Sequence, residues 1–157
     1  MYSKENIREW LMRSMNDPFA KILSKNSNLT KTQLETLLID ILAENITEKT
    51  LKTEEKAKLR LLKADISRGS FNRTLQQARK NVIQSIYTIL LLGYLGIFED
   101  TRLDPYLEVA NKLQTYMSAY KDMIGNEGTK GEYLRIVRML HEELESSLER
   151  LSKPRTR

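Results

Sequence analysis

The chain of 157 residues has no cysteine, one histidine, three prolines and six glycines. Without cysteine there can be no disulfide, thiolate-bound metal, iron–sulfur cluster or cysteine nucleophile. The single histidine, His141, excludes any metal site built from several histidines. So few glycines and prolines argue against a turn-rich all-β fold. The sequence also lacks the opening of a signal peptide, because no apolar stretch follows Met1-Tyr-Ser-Lys-Glu-Asn, and a cytoplasmic location is expected.

What is present is charge, at 30% of residues, alongside 40% hydrophobic residues, a balance that suits a soluble helical protein. The length fits one domain and is enough to bury a core. The formal charge is +5, from 26 basic and 21 acidic residues. It is unevenly placed. Residues 1–48 carry 6 basic and 7 acidic residues, residues 49–80 carry 10 and 3, and residues 81–157 carry 10 and 11. The three segments therefore have net charges of −1, +7 and −1. A local excess of this kind points to an anionic partner, most often nucleic acid. The alternative is a helix face whose cations pair with acidic neighbours in the fold.

Apolar spacing predicts helices throughout. Ser3 caps a first helix bearing Ile7, Trp10, Leu11 and Met15. Asp17-Pro18 supplies an N-cap and first helical residue for a short helix with Phe19, Ile22 and Leu23. After the Asn26-Ser27-Asn28 loop, Thr30 with Gln33, or Thr32 with Glu35, forms a capping box. The helix behind it places Leu34, Leu37, Leu38, Ile41 and Leu42 on one stripe. A polar connection over 45–52 leads to a helix over 53–64 with Ala57, Leu61 and Ala64 on its inner side. Ser67-Arg68-Gly69 breaks that helix, and the next starts near Ser70, burying Phe71, Leu75, Ala78 and Val82.

Residues 81–98 contain no charge. Asn81, Gln84, Ser85, Thr88 and two glycines argue against a membrane span. A buried core helix over 82–96, ended by Gly93 and Gly96, is expected instead. Asp104-Pro105 starts a helix with Leu107, Ala110, Leu113, Tyr116 or Met117, Tyr120 and Ile124, and Gly125 stops it. The last helix, 132–151, carries Tyr133, Val137, Leu140, Leu144, Leu148 and Leu151 in an approximate heptad. It can dock on the core or pair with a second chain. Residues 153–157 form a basic tail expected to be flexible. The expected architecture is all-α, a single helical domain over 1–152 of six or seven helices with an embedded helix-turn-helix within 53–82.

The helix-turn-helix is expected from residues 61–82. Ile66 tucks the turn into the core, and Ser67 caps a helix whose N-terminus points at phosphate. Arg68, Ser70, Asn72, Arg73, Gln76, Arg79 and Lys80 are left for the outer faces. Arginine reads guanine, Asn and Gln read adenine, and Ser, Arg and Lys hold phosphates. Phe71, the one aromatic residue of the basic stretch, is phased into the core, which disfavours a single-stranded partner. Over about 22 residues the segment resembles the recognition helix-turn-helix in the fourth conserved region of bacterial sigma factors and related regulators. Ile66, Ser67, Arg68, Gly69, Ser70, Phe71, Arg73, Leu75, Ala78 and Arg79 carry the likeness. Asp65 stands where that family has glycine in the turn, and Asp tolerates the left-handed conformation needed there. The resemblance implies that Arg68, Ser70, Asn72, Arg73 and Gln76 face DNA, with Arg79 on the backbone.

No catalytic constellation competes with this reading. Gly125 to Gly131 lacks the Gly-Lys-Ser/Thr order of a phosphate loop. His141 has no candidate nucleophile, and Glu54/Glu55 and Glu142/Glu143 are adjacent pairs that point apart on a helix. The expectation is a non-enzymatic duplex-DNA-binding protein of transcription regulation or chromosome maintenance. It needs no cofactor or metal and has no membrane or small-molecule partner, and it dimerises if the last helix pairs with a second copy. The competing expectation is a helical interaction module or accessory subunit of a larger complex.

Overall fold

The computed structural model describes residues 4–46, 50–63, 65–97, 110–111, 113–115, 118 and 130–152. All regular structure among them is helical, as the sequence predicts. Six helices have defined bounds: α1 Lys4–Asn16, α2 Pro18–Lys25, α3 Lys31–Ile46, α4 Thr53–Ala57, α5 Arg68–Tyr94 and α6 Lys130–Ser152. The chain divides into two compact units, Met1–Tyr87 and Thr88–Arg157. No helix among the described residues is long and apolar enough to cross a membrane.

Several helix ends follow from local chemistry. Asp17 Oδ1 accepts from the Ala20 N–H at 2.9 Å, with Pro18 as first residue of α2. Thr30 and Gln33 close a reciprocal capping box, Thr30 N to Gln33 Oε1 at 3.0 Å and Gln33 N to Thr30 Oγ1 at 3.2 Å. Ser67 Oγ accepts from Ser70 N at 3.1 Å, so α5 begins at Arg68. It ends in a Schellman turn: Ile97 N donates to Leu92 O and Gly96 N to Gly93 O, with Gly96 at φ 70°. The Ser3 cap, the helix start at Asp104-Pro105, the Gly125–Gly128 part of the glycine loop and the tail lie outside the described residues.

The core of the first unit joins Ile7 and Leu11 of α1, Ile39 and Leu42 of α3, Ala57, Leu59, and Phe71 and Leu75 of α5. Met15, Leu37, Leu38, Leu51 and Ile66 pack around it. Ile66 thus anchors the turn as expected, and Asp65 before it is left-handed, with φ 56°. In the second unit Leu113 and Val137 are buried.

Three expectations need correction. First, the inner face of α3 is shifted and broader than expected: Leu42 is buried and Leu37 and Leu38 pack on the core, but Ile41 is exposed and Glu35, Thr36, Ile39, Asp40 and Ala43 are buried as well. The apolar side chains alone define only part of the face, because two carboxylates belong to it. Second, the helix expected over 53–64 ends at Ala57. Leu59 and Arg60 turn inward and Leu61 and Leu62 outward. The cause is Glu35, fully buried, whose Oε2 accepts from Arg60 Nε at 3.0 Å. Its Oε1 takes the backbone N–H groups of Leu61 and Leu62. An amide bound to that carboxylate cannot also continue the helical ladder. Arg8 Nη2 donates to Lys58 O at 2.9 Å and satisfies a carbonyl where α4 stops. Ten residues, 58–67, therefore separate α4 from α5, a longer connection than the tight turn of the helix-turn-helix expected within 53–82.

Third, the segment expected as a buried core helix over 82–96 is largely exposed. Val82, Ile83, Ile86, Tyr87, Leu90, Leu91, Tyr94 and Leu95 all face solvent, Tyr94 at 86%. Only the first three positions of the expected stripe, Phe71, Leu75 and Ala78, are buried, and Val82 is not. An uncharged run meets the composition of a core helix without guaranteeing a covering partner.

Removing one member of a buried ion pair strands the other. Glu35→Ala should therefore lower unfolding free energy by about 3–5 kcal/mol. Arg13→Ala, which removes an exposed pair with Glu9 one helical turn away, should cost under about 0.5 kcal/mol. Urea unfolding of both variants checks the contrast.

Candidate nucleic-acid interface

The first half of α5 carries the expected site. At 100° per residue, Arg68, Arg79, Asn72, Gln76, Lys80 and Arg73 fall in one sector of about 140° beside the buried Phe71-Leu75-Ala78 stripe. Arg68, Arg73, Gln76 and Lys80 are exposed, and Asn72 is half-buried. Ser70 lies beyond that sector, half-buried, and its carbonyl accepts from Thr74 Oγ1 at 3.0 Å. Ser67 is exposed and serves as the cap. The structure thus brings six of the eight expected residues onto one face and leaves two at or beyond its margins.

Arg79 differs from the others. Its outward phase predicts a cation without an intramolecular partner, yet its Nη2 lies 2.6 Å from Asp40 Oδ2. Asp40 is a buried carboxylate of α3, and its other oxygen, Oδ1, accepts from Lys56 Nζ at 2.7 Å. Lys56 is itself buried, with Glu44 Oε1 at 3.7 Å as a second anionic neighbour. Arg60, as above, is consumed by Glu35. Three of the ten cations of 49–80 therefore neutralise carboxylates of α3. The alternative given by the charge arithmetic, cations paired within the fold, holds for this share.

Six others, Lys52, Lys58, Lys63, Arg68, Arg73 and Lys80, are exposed, and none forms an ion pair among the described residues. Lys49 lies outside the described residues. A polar seam fixes α5 beside the loop before α3. Asn81 Nδ2 donates to Asn28 O at 2.9 Å, and Asn28 Nδ2 donates to Ser85 Oγ at 3.1 Å. Its face is thus held by the core on one side and by hydrogen bonds on another.

Asp40 was left out by the sequence reading, and Glu35 entered it only as a capping-box alternative with Thr32, not as a buried partner of Arg60. Their signal was present: two acids five residues apart within the apolar run 34–43, in an acidic segment that precedes a basic one. No cluster of three or more His, Cys, Asp and Glu residues suited to a metal occurs among the described residues. His141 Nε2 lies 3.1 Å from Glu145 one turn on, without hydrogen-bond alignment, in an ordinary side-by-side arrangement. No family model matches this chain, and no curated protein or solved structure matches it either.

The two cations of Asp40 should differ in their structural weight. Lys56→Ala should cost about 3 kcal/mol, because a buried partner is lost. Arg79→Ala should cost about 1 kcal/mol or less, since its side chain is 55% exposed and Asp40 keeps Lys56. Thermal or urea unfolding of the two variants distinguishes them. Equal losses would contradict this division.

Proposed function

We propose that the chain is a cytoplasmic duplex-DNA-binding protein, acting in transcription regulation or chromosome maintenance. The observation that carries this reading is the face of α5 on which Arg68, Arg73, Lys80, Asn72 and Gln76 stand together beside the buried stripe, all exposed except the half-buried Asn72. Lys52, Lys58 and Lys63 add exposed positive charge from the segments flanking α4. Cations supply the phosphate contacts, and Arg, Asn and Gln supply groups able to read base edges in a major groove. The likeness to sigma-factor recognition helices supports the same assignment for Arg68, Asn72, Arg73 and Gln76; it also implies Ser70, which lies beyond this face. On this reading Ser67 orders the helix start toward phosphate. The 58–67 connection makes the module a single long helix presented by a packed scaffold, in place of a compact helix pair. A second copy joined through α6 would present two such helices to two half-sites.

A second reading, a helical interaction module or accessory subunit, is favoured by the exposed apolar residues from Val82 to Leu95. Salt titration separates the two. Duplex affinity should fall with a log–log slope of about −0.9 per phosphate neutralised. Arg68→Ala, Arg73→Ala and Lys80→Ala combined should make that slope shallower by about 2.7. Fluorescence anisotropy with a random-sequence duplex measures both. Unchanged affinity in the triple variant would remove this face from the interface.

A further inference from the structure

The Asp40 cluster joins the candidate interface to the interior, and its asymmetry suggests more than support. One carboxylate holds two cations on separate oxygens, Lys56 on Oδ1 and Arg79 on Oδ2. Lys56 is buried with Asp40, whereas more than half of the Arg79 side chain is open to solvent. If Arg79 leaves, Asp40 still has Lys56, so no buried charge is stranded. The reverse exchange would break the buried pair. Arg79 is therefore the exchangeable partner, and it stands in the sector of α5 that holds Arg68, Asn72, Gln76 and Lys80. A phosphodiester oxygen offers a guanidinium the same charge-assisted hydrogen bond that a carboxylate offers.

We propose that Asp40 is an intramolecular competitor for duplex DNA: it holds Arg79 in the free protein and yields it to a backbone phosphate on binding. The inference rests on the duplex-binding reading above. Asp40 then sets the affinity of the face without touching the ligand. The free chain keeps one cation in reserve, which lowers its attraction for nonspecific polyanions. The groups facing Arg79 in this exchange are Asp40 of α3 and, through Asp40, Lys56 of α4 with Glu44 beside it.

The test uses the full chain and a random-sequence duplex across a range of salt. Asp40→Asn should bind about fivefold more tightly at low salt with the salt slope unchanged, because Arg79 meets the same phosphate in both complexes. Arg79→Gln should weaken binding modestly, and adding Asp40→Asn to it should bring no gain. Unchanged affinity in Asp40→Asn, while the wild type binds, would overturn the proposal alone. So would a gain that persists without Arg79, because the effect would then be bulk charge. Should the Asp40 variant fold poorly, nitrogen–proton NMR of the wild-type guanidinium groups gives an independent answer. The Arg79 signal should move on saturation with duplex while that of buried Arg60 stays still, and an unmoved Arg79 would refute the exchange. A wild type that binds no duplex at any salt would overturn the underlying function and this inference together.

Discussion

A carboxylate sealed from water must find its donors inside the protein, and Glu35 finds three of them in one short stretch of chain. Arg60 meets one oxygen, and the amides of Leu61 and Leu62 meet the other. The desolvation cost of burying this charge would be prohibitive without them. Those donors come from residues that would otherwise have extended α4. The pair therefore decides where that helix stops, turns Leu59 into the core and sends the chain outward before Asp65 and Ile66 bring it back. The position of α5, and with it the candidate interface, depends on that path. Arg60 Nη2 is left without a hydrogen-bond partner, so the pair is not an optimised source of stability. Its consequence is a defined connection of ten residues.

The same acidic helix changes the meaning of the basic block. A net +7 over 32 residues looks like one uniform surface. In the fold it has two layers. Lys56 and Arg60 lie inside with Asp40 and Glu35, and Arg79 spans the boundary. The remaining described cations are exposed, and Arg68, Arg73 and Lys80 share one face of α5. Structure and recognition thus share one set of charges, and Asp40 is the place where the two uses meet.

Local chemistry was the most legible part of the sequence. Asp17-Pro18, Thr30 with Gln33, and Ser67 are caps whose partners lie within three residues, and each forms as the spacing predicts. The left-handed Asp65 belongs to the same class. The all-α class followed from apolar periodicity. What failed depended on residues far apart in the chain. Nothing near position 58 announces that Glu35, more than twenty residues earlier, will take the next amides. Nor does the uncharged run after Asn81 reveal whether a partner covers it, since a core helix and an exposed interaction helix share that composition. The inner face of α3 was only partly legible for a related reason: burial followed the ion pairs as well as the apolar side chains. Of the eight candidate interface residues, Ser70 falls beyond the face that holds six of them, and Arg79 could not be read from sequence as a paired cation, because its partner is on another helix.

The dependence on Glu35 is tested most directly by hydrogen exchange at the Leu61 and Leu62 amides. Both residues have exposed side chains and lie outside any helix, so ordinary loop amides there would exchange rapidly. If the buried carboxylate holds them, both should be protected nearly as strongly as core amides of α3, while Lys63 beside them exchanges freely. Rapid exchange at Leu61 and Leu62, on a par with Lys63, would contradict the account.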